Sequence, residues 1–370
     1  MCGIVGFNGP VDCRQFANAS DALAHRGPDD AGVYYDSDAG VGLGHQRLSI
    51  LDLSPLGHQP MTSEDGQVVL VFNGEIYNFR ELRSDLERQG ITFRGHSDTE
   101  VLLNLYLAEG EAMLSRLNGI FAFALWDRSR QNLLLARHSL GVKPLYFAAS
   151  DDGFVFASEI KGLMGLLPGT SSLDVAALQR YLTFLWCPGE GTPLRSVRKL
   201  LPGEAMVVRS GQIERRWNWY RLPSFRRAAQ PAPDQTTAIE GTREHLRNAV
   251  RRQMIADVPV GAFLSGGLDS SAIVALAREQ NPAIRCFTIE APGGQEAGAT
   301  DDLPYARRVA EHLGVPLDVV RIDAGRMAGD LERMVAQLDE PLADPAPLNV
   351  LYISQLAREH GIKVLLSGAG

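Results

Sequence analysis

The sequence predicts two domains of different class, a layered α+β domain followed by a doubly wound parallel α/β domain. Three observations predict it. The chain has 370 residues, and about 150 residues per domain gives two cores. Early in the chain, short β-branched and aromatic runs alternate with turn clusters, and amphipathic helices sit between them. From Thr237 onward, strand and helix patterns alternate one for one, the signature of a parallel sheet.

Composition narrows the class. Hydrophobic residues are 45% and charged residues 22%, which excludes disorder and collagen-like structure. A net charge of −8 argues against a nucleic-acid backbone as partner. No apolar run approaches the roughly 18 residues a membrane helix needs, so no membrane partner is expected. The start Met1-Cys2-Gly3-Ile4-Val5-Gly6-Phe7 lacks the basic and apolar stretches of a signal peptide. Cys2, Cys13, Cys187 and Cys286 share no metal-ligand spacing. A reducing, cytoplasmic setting is the expectation.

Val68–Phe72 reads as a buried strand, and Asn73-Gly74 as the turn that ends it. Glu81–Gln89 and Asp98–Glu109 carry apolar residues at helical spacing. Phe121–Trp126 is a strand that turns through Asp127–Arg130 into Asn132–Ala136, and Phe154–Ala157 follows. Stacked sheets flanked by helices are expected over residues 1–205. Residues 206–236 read as a basic linker, with Arg215, Arg216, Arg221, Arg226 and Arg227 before Pro231-Ala232-Pro233. In the second domain, 237–370, helices are predicted at Thr237–Ile255, Ser271–Glu279, Leu303–Leu313, Leu331–Leu338 and Val350–His360. Strands are predicted at Val258–Leu264, Arg285–Glu290, Leu317–Ile322 and Lys363–Leu366. The chain stops at Ser367-Gly368-Ala369-Gly370, just past a strand's carboxyl end, where such sheets bind ligands. Truncation is therefore expected, leaving the second domain incomplete.

Two groups of residues carry chemistry. Removal of Met1 would leave Cys2 with both a thiol and a free α-amine, and an amine of pKa about 7.7–8.0 can take the thiol's proton. Alone, Cys2 reads more plainly as a small hydrophobe at a strand start. Asn73 and Gly74 supply an amide and a backbone N–H of the kind an oxyanion hole needs. Their plainer reading is a hairpin turn. Arg47 could fork onto a carboxylate or make a surface salt bridge. Asp98 could hold an ammonium or cap a helix. The second group is Leu264-Ser265-Gly266-Gly267-Leu268-Asp269-Ser270-Ser271, between a strand and a helix. Its glycines let backbone N–H groups converge on anionic oxygens, its serines add donors, and Asp269 suits Mg2+. The plainer reading is a glycine-rich turn.

Met1–Gly6, His25-Arg26-Gly27-Pro28-Asp29, Arg47-Leu48-Ser49-Ile50, Asn73–Asn78, Ser97-Asp98-Thr99-Glu100 and Gly141-Val142-Lys143-Pro144-Leu145-Tyr146 resemble, in order, the class II glutamine amidotransferase domain. The resemblance implies an N-terminal-nucleophile hydrolase fold, an αββα sandwich, with Cys2 as nucleophile and Asn73 and Gly74 as oxyanion donors. It implies that Arg47, Leu48, Ser49, Ile50, Leu51, Glu75 and Asp98 join Asn73 and Gly74 in holding glutamine. His138 stands where that family usually has Asp, which puts a local turn or contacts between domains in question.

The serine-glycine loop resembles the pyrophosphate loop of ATP pyrophosphatases; it lacks the Gly-Lys-Ser/Thr ending of a P-loop. Leu264, Ser265, Gly266, Gly267, Asp269, Ser270, Ile289, Ser367 and Gly368 are then the expected ATP and pyrophosphate residues, with Asp269 on the metal. Together the halves resemble the glutamine-hydrolysing asparagine synthetases. So do Asp301–Arg307 and Asp339–Pro345, to which no role is given. The resemblance implies glutamine, aspartate and ATP as substrates, Mg2+ as cofactor and a homodimer. Ala369 replaces a Glu of that family, and alanine can accept no proton. The expectation is glutaminase activity with little asparagine formed. Two alternatives stay open: a relative that amidates another carboxylate, and a non-catalytic binding partner.

Overall fold

The computed structural model describes residues 1–167, 171–223, 233–290, 302–344 and 346–368. Arg226, Arg227, Pro231 and Ala232 of the expected linker, together with Asp301, Pro345, Ala369 and Gly370, lie outside the described residues. By its contacts the chain divides into two units, Met1–Phe225 with Asp339–Ala343, and Arg226–Leu338 with Asp344–Gly370.

The strands of unit 1 are β1 (Gly3–Asn8), β2 (Asp30–Asp36), β3 (Val41–Arg47), β4 (Met61–Thr62), β5 (Val68–Ile76), β6 (Gly119–Asp127), β7 (Asn132–Arg137), β8 (Tyr146–Ser150), β9 (Gly153–Ala157), β10 (Arg198–Lys199), β11 (Glu204–Arg209) and β12 (Gln212–Asn218). They form two sheets, in the orders β10-β8-β9-β1-β3-β2 and β12-β11-β7-β6-β5-β4. Every neighbouring pair is antiparallel.

Alternation along the strands assigns the layers. Ile4, Phe154 and Phe156 of the first sheet meet Val69, Val71, Ala122 and Trp126 of the second in one core. Their neighbours Val5, Phe7 and Val155 face the other way, onto Phe16 of α1 (Cys13–Asp21). Other helices of the unit are α2 (Phe79–Arg88), α3 (Asp98–Glu109), α4 (Ile160–Met164) and α5 (Val175–Phe184). Ile160 and Leu163 of α4 join the α1 layer, while α3 packs on β5 and on α2. Helix, sheet, sheet, helix is the sandwich that the resemblance implies.

Two expectations change here. Asn73-Gly74 is no turn: β5 runs through to Ile76 because β6 pairs with it along its whole length, Asn73 opposite Ala122 and Gly74 opposite Phe121. The boundary at residue 205 falls inside β11, whose Met206 and Val208 are buried in the core between the sheets. The hairpin β11–β12 covers the edge of β7. The sheet-bearing unit thus extends at least to Asn218, and the expected linker begins later. Its first arginines are strand residues with carboxylate partners: Arg216 reaches Glu204 at 2.5 Å and Glu190 at 2.6 Å, and Arg215 pairs with Glu111.

Unit 2 holds α6 (Gln235–Gln253), β13 (Val260–Phe263), α7 (Leu268–Arg278), β14 (Cys286–Glu290), α8 (Leu303–Leu313), β15 (Leu317–Arg321), α9 (Ala324–Gly329), α10 (Leu331–Gln337), α11 (Ala346–Glu359) and β16 (Val364–Leu366). Its sheet is parallel, in the order β15-β14-β13-β16. Val250 of α6, Val274 of α7 and Ala306 of α8 cover one face. Ile353 and Ala357 of α11 cover the other, against Phe287. This is the doubly wound arrangement. The strand order reverses between β13 and β16, and ligands of such sheets bind at the carboxyl ends beside that reversal.

Candidate functional site

Strand alternation puts Asn73 on the same face of β5 as Val69 and Val71, the face turned toward the first sheet. Cys2 precedes β1 and shares the parity of Ile4, so it faces the same layer from the opposite sheet. The Cys2 sulfur accepts from the Leu48 N–H at 3.4 Å and lies 3.7 Å from the Leu48 carbonyl. Burial pushes the thiol above its ordinary range, the Leu48 N–H opposes this, and Glu75 and Lys143 act on it through space. The Asn73 side chain is 1% exposed, and neither its Nδ2 nor its Oδ1 has a hydrogen-bond partner. A buried amide that satisfies nothing in the fold is costly unless a ligand uses it. Gly74 has a different reason to be glycine: a Cβ there would lie 2.3 Å from the Ile120 carbonyl oxygen.

Arg47 is buried and makes no surface salt bridge. Its guanidinium donates to the carbonyls of Asp52 at 2.6 Å, Leu51 at 3.1 Å and Ser54 at 3.4 Å, ordering the loop that follows Ser49 and Ile50. Ser49 donates its N–H to Asp29 at 2.8 Å. Asp98 is not the helix cap, which is Ser97; it is the first residue of α3, and its carboxylate accepts from the Ile76 N–H at 2.9 Å. That bond ties the start of α3 to the end of β5. Burial pushes Asp98 up to about 6, against the pull of backbone donors and Arg47.

Sequence reasoning quoted Arg26 and Lys143 without giving either a task. Arg26 donates from Nε to the Cys2 carbonyl at 2.8 Å and from a terminal nitrogen to Glu159 at 2.5 Å. Lys143 is 8% exposed; burial lowers its pKa, and its charge acts on Cys2 and Glu75. The Met1 amine is lowered to about 6, chiefly by burial, with Lys143 and Arg26 adding to the effect. For Lys143 the available signal was a cation placed inside an apolar segment, Val142 to Phe147. His138 keeps the local turn, since its Nδ1 accepts from the Val142 N–H at 3.1 Å.

In unit 2 the loop leaves β13 and enters α7. Ser265 Oγ lies 3.0 Å from Ser270 Oγ and accepts from the Gly267 N–H at 3.3 Å. Ser270 and Ser271 hydroxyls both donate to the Gly267 carbonyl. Gly266 has φ +80°, and a Cβ on it would sit 2.4 Å from the Ala306 nitrogen. Gly368, after β16, lies so near the first turn of α7 that a Cβ would be 2.6 Å from the Ser270 nitrogen. The structure therefore brings Ser265–Ser270 and Ser367-Gly368 together at the reversal of strand order. Asp269 is exposed in the first turn of α7. Leu264 is 1% exposed within the core, which leaves only its backbone for a ligand. Ile289 is half-buried near the end of β14. No group of three or more His, Cys, Asp or Glu suited to a metal occurs among the described residues. All four cysteines are free, and no described helix is long and apolar enough to cross a membrane.

The glutamine amidotransferase domain family matches residues 1–220, and the asparagine synthase family matches residues 241–370. Asparagine synthetase [glutamine-hydrolyzing] 1 of Bacillus subtilis is 36% identical over 378 residues, covering 100% of this chain and 58% of the relative. A Mycobacterium tuberculosis relative named for the same enzyme is 37% identical over 399 residues, with 100% and 59% covered. A Methanocaldococcus jannaschii relative of that name is 32% identical over 392 residues, with 100% and 74% covered. The chain spans 58% of the length of the first of these relatives. A cysteine beside strand β1, an idle buried amide on β5 and a serine-glycine loop at a sheet reversal are thus found in a chain that belongs to the glutamine-hydrolysing asparagine synthetase family.

Proposed function

We propose that this chain takes part in glutamine-dependent asparagine synthesis, with Cys2 releasing ammonia from glutamine in unit 1. In that reading Met1 is removed and the α-amine of Cys2 accepts the thiol proton. The thiolate attacks the amide carbon, and the Asn73 Nδ2 and Gly74 N–H receive the developing oxyanion. The α-ammonium returns its proton to the amide nitrogen, the C–N bond breaks to release ammonia, and water then splits the thioester to glutamate and the free thiol. Asp98 supports the substrate's ammonium. The idle Asn73 amide carries the reading, because nothing in the fold explains a buried amide without partners.

Unit 2 is proposed to bind ATP at the Ser265–Ser270 loop and Ser367-Gly368, and to activate a carboxylate, aspartate in the family's reaction. Asp269 is the residue suited to magnesium here. A single exposed carboxylate fits an ion shared with phosphate oxygens better than an all-protein cage, and the ion would neutralise the departing pyrophosphate. Adenylation turns a poor electrophile into one that ammonia can attack. Homodimer assembly belongs to this proposal on family grounds alone.

The test is an assay of the purified chain with three readouts: glutamate, pyrophosphate and amidated product. Glutamate release that disappears in Cys2→Ala is expected. Release unchanged in Cys2→Ala overturns the reading of unit 1. Ammonia as donor tests unit 2 separately, and the product identifies the carboxylate.

A further inference from the structure

Helix α4 begins at Ile160, so its N-cap position belongs to Glu159, and a capping side chain normally serves the first free N–H groups. Glu159 does not do so. Its carboxylate is occupied by Arg26 at 2.5 Å, His25 at 3.0 Å and Lys161 at 3.2 Å. The free N–H groups of Ile160 and Lys161 are met instead by Asp339: Oδ2 accepts from Ile160, and Oδ1 from Lys161 at 3.2 Å. Asp339 lies 179 residues from Ile160 in sequence. It belongs to the short segment Asp339–Ala343 that clusters with unit 1 although the chain on both sides belongs to unit 2. Glu340, next to it, accepts from the Tyr146 hydroxyl at 2.8 Å and pairs with Lys199 at 2.9 Å, and the Ala343 N–H donates to the Leu185 carbonyl at 2.9 Å. The segment is therefore held at three points besides the cap.

We infer that Asp339 is a positioning residue for the Cys2 reaction: by capping α4 from outside, it leaves Glu159 to hold Arg26, which fixes the Cys2 carbonyl. The contacts run without a gap. Asp339 binds the first turn of α4, Glu159 stands at the head of that turn, Glu159 binds Arg26, and Arg26 donates to Cys2 at 2.8 Å. Without Asp339, two helix N–H groups lack an acceptor, and Glu159 is the nearest replacement by chain position. Turning toward them, it would release Arg26. The cost then falls on the nucleophile's backbone as well as on the helix.

This rests on the glutaminase reading of Cys2, and the test separates the two. In the full chain, Asp339→Ala and Glu159→Gln are each expected to lower glutaminase kcat about tenfold with KM within about twofold. The double variant is expected to fall no further than the worse single variant, and Asp339→Asn, which keeps one acceptor, to recover part of the loss. Asp174 caps α5 through the Ala177 N–H at 3.0 Å; Asp174→Ala is the control for loss of a cap alone, and kcat should be unchanged. Iodoacetamide labelling of Cys2, followed by mass spectrometry, reads the same coupling without requiring turnover. A wild-type kcat and labelling rate in Asp339→Ala, or losses that multiply in the double variant, overturn the inference. If Asp339→Ala does not fold, Asp339→Asn with Glu159→Gln carries the same cycle. A chain that releases no glutamate while labelling stays coupled would sink the glutaminase reading and leave the positioning role standing.

Discussion

Asp98 and Ile76 are joined by a 2.9 Å hydrogen bond that fixes the start of α3 to the end of β5, directly beyond Asn73 and Gly74. The carboxylate is buried and sits at about 6, with desolvation as the main cause. Its ionised form is the one that can hold an ammonium. kcat/KM for glutamine should therefore fall as pH drops through about 6. Asp98→Asn should lose that acid limb and raise KM by roughly tenfold to a hundredfold, the worth of one charged hydrogen bond. The stability sign is opposite. The folded state holds this proton more tightly than the unfolded chain, so the carboxylate costs stability progressively as pH rises from about 4 to 6. Asp98→Asn should then raise the urea midpoint at pH 7 while lowering activity.

Asn73 and Gly74 are neighbours with different debts. The Asn73 amide bonds to nothing in the fold, so Asn73→Ala should keep the unfolding midpoint close to wild type. It should lower kcat by about a hundredfold to a thousandfold, or about 2.7–4 kcal/mol, with little change in KM. Gly74→Ala should behave differently, because its Cβ meets strand β6 backbone at 2.3 Å. The expected result is a fall in thermal midpoint and disordered strand pairing. Equal stability losses in the two variants would contradict the assignment.

The glycines of unit 2 give a separate experiment. Gly266→Ala combines a left-handed φ of +80° with a 2.4 Å clash, and Gly368→Ala places a methyl 2.6 Å from the Ser270 nitrogen. Both should weaken MgATP binding by at least tenfold in calorimetric titration, since the loop must move to admit the methyl. Glutamate release by unit 1 should be retained. Tight MgATP binding by Gly368→Ala would place the nucleotide elsewhere.

Much of the fold is legible because apolar alternation reports which face a strand buries. Ile4 and Val5 fall into different layers, as their parity requires. Asn73-Gly74 misled because the pair is a strong local turn signal, whereas pairing with distant β6 decides the matter. The arginines of β12 misled likewise, since their carboxylate partners Glu111, Glu190 and Glu204 are not visible as partners in a linear reading. Residue types marked Cys2, Asn73 and Asp98, but the Arg26–Glu159 pair and the Asp339 cap depend on contacts across more than a hundred residues.

His138 offers the last test, at a position where resemblance alone led one to expect an aspartate. Its Nδ1 accepts from Val142, as a carboxylate oxygen could, but burial, reinforced by Arg137 and Lys143, lowers its pKa to about 4. The folded imidazole is neutral near neutrality and adds no anion beside Lys143. An unfolded histidine titrates near 6.5, so as pH falls the unfolded chain takes up the proton first. The stability present above about 6.5 is lost as pH falls toward 4, at up to about 1.4 kcal/mol per pH unit. His138→Asn carries no such proton. The wild-type stability minus that of His138→Asn should therefore shrink between pH 7 and pH 4.5, measured by urea unfolding. Taking the difference cancels the opposite contribution of Asp98, which is common to both proteins. A difference that stays constant with pH would mean that the folded and unfolded imidazoles bind the proton equally, and that burial does not depress His138.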